Sequence, residues 1–144
     1  MIEKDTIKLL RECDQGIKMG VSSIDEVVGY VKNEKLKKVL LNSKDEHEKL
    51  KEDIEKLLHE YEDEGKNPNP FIKGMSWLKT NFQLVMNESD YKIADLMTDG
   101  TNMGVKSLSR YLNQYAAASE EVKDITKKLI AIEEELSIDL RVFL

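Results

Sequence analysis

The side chains best placed to do chemistry in this 144-residue sequence are His47 and Glu133. Each stands in a run of apolar residues spaced three or four apart, where a buried helix face would ordinarily carry a hydrophobic residue. Histidine and glutamate can bind a divalent metal ion or iron, or they can satisfy one another through a hydrogen bond. The same apolar faces hold further polar positions, and together these form a candidate polar core layer: Asp14, Ser43, His47, Thr98, Thr101 and Glu133.

This layer has two interpretations. In the first, His47 and Glu133 hold one metal ion weakly, with Asp14 a weaker candidate because it lies more than a helical turn away. In the second, the layer is a vestigial hydrogen-bonded network that fixes helix register, with His47 satisfied by Glu133 or by a hydroxyl group. Two ligands without a set of bridging carboxylates fall short of a transition-metal site. We therefore predict the second interpretation and no cofactor, with a divalent metal or iron as the alternative.

No recognisable catalytic pattern accompanies the polar layer. The sequence contains no glycine-rich phosphate loop, no CxxC pair and no Ser-His-Asp arrangement. Its one cysteine, Cys13, stands beside Asp14, whose negative charge disfavours a reactive thiolate. We therefore predict no catalytic residues, and the sequence favours a non-enzymatic protein while leaving enzymatic activity open.

Apolar periodicity predicts four long helices that would position these residues. Their expected ranges are 5–31, 35–62, 89–116 and 119–144. Short polar connections make the first two helices one antiparallel hairpin and the last two another. Between the hairpins, Gly65, Pro68 and Pro70 break the pattern, so residues 63–88 are predicted to form a crossover with a short extra helix. The whole chain, 1–144, is expected to be a single all-α four-helix-bundle domain, with hairpin one at 5–62 and hairpin two at 89–144.

An internal repeat relates the two hairpins. Residues 16–23 read GIKMGVSS and residues 100–107 read GTNMGVKS, with identity at five of eight positions. An offset of 84 superimposes the apolar positions of the first helices, and an offset of 86 does so for the second helices and brings His47 onto Glu133.

Four glycines in the repeated motif are predicted to serve helix packing. Glycines four residues apart lie on the same face of a helix. Because this face carries no side chains at those positions in helix 1 or helix 3, the backbones of the two helices should approach closely. Replacing Gly20 or Gly104 by leucine is then expected to destabilise the fold. The packing glycines are Gly16, Gly20, Gly100 and Gly104.

The repeated hairpin and the long crossover resemble a known architecture. Together with the segments DQGIKMGVSSIDEV, KDEHEKL and MTDGTNMGVKSL, they resemble an uncharacterised bacterial branch of the ferritin-like four-helix-bundle superfamily. The resemblance implies helices 2 and 3 running parallel, and in active members a Glu-x-x-His pair on two of the helices. Here Lys44 stands three residues before His47, and Leu136 three after Glu133. The departure favours a non-enzymatic structural or protein-interaction role, with a degenerate metal-binding or redox protein as the alternative.

The crossover is the best candidate for an interaction surface. Its large apolar side chains either cover the bundle or form an interface with a second copy or another protein; they are Phe71, Trp77, Phe82 and Met86. The two lysines of residues 71–87, without acids, are too sparse to favour contact with a membrane surface.

Charge and hydropathy exclude other classes of partner. The net charge of −6, from 22 basic and 28 acidic residues, disfavours nucleic acid, which requires clustered lysine and arginine. The first residues lack the apolar core of a signal peptide, and no segment approaches 18 uninterrupted apolar residues. We predict a cytoplasmic protein.

Overall fold

The computed structural model describes residues 3–66 and 90–144, which form four long helices. They are α1 (Glu3–Val28), α2 (Glu34–Glu60), α3 (Asp90–Gln114) and α4 (Glu120–Leu140), followed by a 3₁₀ turn at Arg141–Phe143. These helices pack against one another, and no strand occurs among the described residues. The prediction of an all-α four-helix bundle is therefore confirmed, whereas the predicted crossover helix lies outside the described residues.

Local signals explain where the helices begin and end. Helix α1 stops at Val28, three residues earlier than predicted, because the chain turns at Gly29 and Tyr30. The Asn33 side chain then accepts hydrogen bonds from two amides in the first turn of α2, a cap that periodicity does not reveal. Ser119 caps α4 by accepting from the amide of Val122 at 3.3 Å.

Hydrogen bonds at the two ends of the bundle define the directions of the helices. Asp90, which starts α3, accepts from the amides of Lys32 at 2.9 Å and Asn33 at 2.7 Å, in the α1–α2 turn. Thr6, near the start of α1, accepts from the amide of Ser119 at 2.9 Å, in the α3–α4 connection. Hence α1 and α3 are antiparallel, and α2 and α3 run in the same direction. We refer to these as the Asp90 end and the Thr6 end.

The hydrophobic core consists of two clusters, one toward each end. The cluster toward the Thr6 end contains the buried side chains Leu9, Leu10, Cys13, Ile17, Leu50, Ile54, Leu57, Leu58, Leu108, Ala118, Val122, Ile125 and Leu129. The cluster toward the Asp90 end contains Ile24, Val27, Val31, Leu36, Leu40, Ile93, Ala94, Met97, Leu136 and Leu140. The buried residues His47 and Glu133 lie at the level between the two clusters. The polar residues therefore divide an otherwise continuous apolar core.

The buried Asp14 fixes the segment that leaves α2. Its carboxylate accepts from Lys18 Nζ at 2.7 Å and from the amide of Lys66 at 3.0 Å, and Lys66 Nζ pairs with Glu12 at 2.6 Å. Gly65 adopts a positive φ of 82°, and a Cβ at this position would overlap the Asp14 carboxylate. Residues 65 and 66, which follow hairpin one, therefore lie against the half of α1 that is nearer the Thr6 end.

Candidate functional site

The centre of the bundle holds a hydrogen-bonded chain from α2 to α4. His47 Nε2 lies 2.9 Å from Glu133 Oε1, and His47 Nδ1 lies 2.7 Å from the carbonyl oxygen of Ser43. The Ser43 hydroxyl is 3.4 Å from the same ring nitrogen. His47 is 1% exposed and Glu133 8%, so neither residue can replace these partners with bulk water.

The positions of the acceptors determine where the protons lie. A carbonyl oxygen cannot donate, so His47 Nδ1 must donate its hydrogen to Ser43. With Glu133 as a carboxylate, Nε2 must donate as well, and a ring with two N–H groups is an imidazolium. The arrangement thus supports a charged His47–Glu133 pair in the interior.

The surroundings raise the pKa of His47 above its ordinary value. Burial acts most strongly and by itself would lower this pKa, because it penalises the charged ring. The hydrogen bond to Glu133 and its negative charge act in the opposite direction, with smaller contributions from the Ser43 carbonyl and Glu46, and together they outweigh burial. Protonation of His47 is therefore more favourable in the folded protein than in the unfolded chain.

We expect the free energy of unfolding to fall as pH rises above about 6.5, the ordinary histidine pKa. The stabilisation by the imidazolium is fully present below that value and is lost as pH rises through the raised pKa of the folded state. Urea unfolding between about pH 6 and pH 9 measures this slope. His47→Gln should remove most of the slope, and a wild-type profile that is flat across this range would contradict the assignment.

The repeated glycines lie beside this pair, with different surroundings. A Cβ added to Gly20 would lie 2.8 Å from His47 Cδ2 and Nε2, whereas one at Gly104 would lie 3.6 Å from the Glu133 carboxyl group. A Cβ at Gly16 would meet Leu129 of α4 at 3.4 Å, and one at Gly100 would meet no described atom within 4 Å. The closest neighbours of Gly16, Gly20 and Gly104 thus lie on α2 and α4, and Leu108 of α3, at 3.8 Å from the Cβ position of Gly16, is a contact between α1 and α3.

The other members of the predicted layer do not join the His47–Glu133 pair. Thr98 donates to the carbonyl of Ala94 and Thr101 to that of Thr98, so both hydroxyls bond to their own helix. The hydrogen bonds of Asp14 go to Lys18 and to the Lys66 amide, toward the Thr6 end. The structure therefore connects Ser43, His47 and Glu133 and leaves the remaining three separate.

Neither a metal site of usual composition nor a reactive thiol is present among residues 3–66 and 90–144. No three His, Cys, Asp or Glu side chains come together there. Cys13 is fully buried beside Thr126 Oγ1 at 3.1 Å, and burial, more than any other effect, raises the pKa of its thiol to about 12. A nucleophilic thiolate at neutral pH is thus excluded. The candidate interface residues Phe71, Trp77, Phe82 and Met86 lie outside the described residues.

A cavity opens between α1 and α3 beside the glycines, where the repeated motif predicted close packing of the two helices. It measures about 440 Å³, and we name it the α1–α3 groove. His47 and Glu133 lie on its wall together with Met19, Met97 and Met103. The pairing of methionine with glycine in both repeats is the sequence signal that could have indicated a cavity, since glycine leaves the volume that a side chain would fill.

Comparison of the chain with protein-family models, curated proteins and solved structures finds no match. Among the described residues, no helix is both long enough and apolar enough to cross a membrane.

Proposed function

We propose that this protein is a non-enzymatic, ferritin-like bundle of two repeated hairpins that acts in the cytoplasm by pairing with a second copy of itself. The observation that carries this proposal is a concentration of exposed apolar side chains at the Asp90 end. Three further considerations support it: the directions of the helices, the reciprocal contacts between the hairpins, and the chemistry of the central pair.

The directions of the helices favour the ferritin-like arrangement. Parallel α2 and α3 require a connection that travels the length of the bundle, which is the one-crossover topology of ferritin-like folds. The 23 residues between Lys66 and Asp90 are sufficient for that distance.

The contacts at the two ends favour an internal repeat. The offset of 84 carries Thr6 onto Asp90, and the offset of 86 carries Asn33 onto Ser119. Thr6 accepts from the amide of Ser119, and Asp90 accepts from that of Asn33. In each hairpin, the backbone amide at the start of the second helix therefore donates to a side chain at the start of the first helix of the other hairpin. An approximate twofold axis between the hairpins produces this kind of reciprocal contact.

Exposed apolar side chains mark the Asp90 end as an interaction surface. Val142 is 82% exposed, and further large apolar side chains are exposed in the α1–α2 turn, in α2, at the start of α3 and toward the C-terminus. The exposed set at this end is Tyr30, Leu41, Tyr91, Ile138, Val142 and Leu144. Several exposed large apolar side chains at one end of a bundle are typical of a protein–protein contact. Since the surface is mixed aromatic and aliphatic, a second copy of the same surface is a suitable partner.

The metal-binding alternative finds less support in the donor set. Nδ1 of His47 donates to a backbone carbonyl, as it does in many metal-binding histidines. However, Nε2 and Glu133 engage one another, and no third ligand comes close among the described residues. Two donors do not provide the coordination that iron, manganese or zinc requires.

Sedimentation equilibrium of the purified protein tests the proposal. We expect a dimer that dissociates in the double variant Ile138→Lys/Val142→Lys, while Asn113→Lys, an exposed site near the Thr6 end, leaves the dimer intact. Circular dichroism should show all three proteins folded. A monomer at every concentration would contradict the proposal, and stoichiometric metal in protein purified without a His-tag would favour the metal-binding alternative.

A further inference from the structure

The α1–α3 groove has the size and the lining of a small-molecule site. Pockets for such ligands typically measure about 300–1,000 Å³ and combine apolar walls with a few polar groups, and the volume here is about 440 Å³. The walls are predominantly apolar, and their large apolar side chains are Met19, Ile24, Met97, Met103, Leu108 and Leu136. Met103 is 56% exposed, so the groove is open to solvent on one side.

Two acceptor atoms at the groove lack donors. Glu133 uses Oε1 for His47, no hydrogen bond reaches its Oε2 among the described residues, and its side chain is 11% exposed. Gln15 Oε1 is buried and likewise has no partner. Gln15 Oε1 is sealed from solvent, so Glu133 Oε2 is the acceptor that a ligand in the groove can reach, and such a ligand must donate a hydrogen bond to it.

The side chains that line the groove suit an organic cation. No lysine or arginine lines it among the described residues, and the charged or titratable groups there are Glu12, His47, Tyr111 and Glu133. Lys66 lies at 2.6 Å from Glu12, and the His47 ring pairs with Glu133 Oε1, so each carboxylate has a partner of opposite charge, and Glu133 Oε2 is left without a donor among the described residues. Tyr111 and the methionine sulfurs also suit an organic cation, because an aromatic face and polarisable thioethers attract positive charge attached to an apolar body.

We propose that the α1–α3 groove binds an apolar amine. The protonated amino group donates to Glu133 Oε2, and the hydrocarbon or aromatic body lies against the three methionines. This site lies at mid-bundle, separate from the exposed residues of the Asp90 end, so it does not depend on the proposed dimer.

Calorimetric titration with matched ligands tests the charge requirement. Tryptamine, tryptophol and indole-3-propionate share one indole body and carry an ammonium, a hydroxyl and a carboxylate, and octylamine replaces the indole with an alkyl chain. We expect both amines to bind, with tryptamine about tenfold tighter than tryptophol and indole-3-propionate weakest. Methyl NMR should show shifts at Met19, Met97 and Met103 on binding.

A filled-groove variant tests the location. Gly100→Leu places a side chain where a Cβ meets no described atom within 4 Å, and leucine also favours a helix more than glycine does. We expect Gly100→Leu to abolish amine binding while the thermal midpoint stays the same or rises. Gly29→Leu, at a glycine with equally open surroundings but outside the groove, should bind as wild type does. Glu133→Gln should reduce the preference for tryptamine over tryptophol.

Three outcomes would overturn the proposal. They are the absence of heat and of methionine shifts with both amines, equal affinity for the three indole compounds, and undiminished binding in folded Gly100→Leu. The first would assign the groove to another occupant, such as a segment of this chain or a second copy.

Discussion

Replacing Glu133 by alanine is expected to lower the free energy of unfolding by about 3 kcal/mol. The substitution leaves Nε2 of the 1%-exposed His47 without its acceptor, and the ring cannot turn toward water while Nδ1 remains bonded to Ser43. A loss of this size is a large fraction of the about 5–15 kcal/mol that stabilises a typical domain. Urea unfolding near pH 6.5 measures it, at a pH where His47 carries its proton.

Two further variants distinguish the loss of the His47–Glu133 pair from the general effect of shortening a glutamate side chain. Glu134→Ala, at the exposed neighbouring position, should change stability by less than about 0.5 kcal/mol. The double variant His47→Leu/Glu133→Leu removes both polar groups together and should recover most of the loss, because an apolar pair of similar volume leaves nothing unsatisfied. If Glu133→Ala unfolds as wild type does, the central pair contributes nothing to stability and the interpretation fails.

Replacing Gly20 by alanine is expected to destabilise the protein by about 2 kcal/mol, although alanine is the better helix former. The added methyl would lie 2.8 Å from the His47 ring, which is held at both nitrogens and so cannot move without breaking a hydrogen bond. The cost of that displacement exceeds the gain of about 1 kcal/mol in helix propensity.

The equivalent glycine of the second repeat provides the matched control. Gly104→Ala brings its methyl to 3.6 Å from the Glu133 carboxyl group, which is an ordinary contact. It should therefore raise stability by about 0.5–1 kcal/mol, through helix propensity alone. Thermal and urea unfolding of the two variants side by side give the comparison. Equal effects would show that helix propensity, rather than the His47 ring, decides both sites.

Much of the arrangement could be predicted from the sequence because helix periodicity fixes which residues share a face. If residues are counted in both directions from the turn of each hairpin, His47 is level with Gly20 and Glu133 is level with the second glycine motif. In the structure, Gly20 lies beside His47 and Gly104 lies beside Glu133. The offset of 86 likewise brings His47 onto Glu133, the residue with which it pairs. Such register follows from a rise of about 1.5 Å per residue, so it requires no knowledge of packing.

The rest depended on quantities that periodicity does not contain. The α1–α3 groove depends on the distance between these two helices. The packing of side chains on all four helices determines that distance, and periodicity along one helix does not contain it. Asp14 stands at a position that the pattern assigns to the core layer, yet it bonds to the amide of Lys66 in a non-helical segment. The predicted end of α1 was too late because Gly29 and the Asn33 cap are local signals that an apolar repeat does not include.

The contacts at the two ends of the bundle also bear on the order in which the chain folds. Each hairpin can form from residues near in sequence, whereas the Thr6–Ser119 and Asp90–Asn33 hydrogen bonds join residues 113 and 57 positions apart. Closing such long loops costs entropy before any contact compensates for it, so docking of one hairpin onto the other is expected to be the slow step. The hairpins are then natural units of partial unfolding, and under mild denaturation they should separate from each other before either one loses its helices.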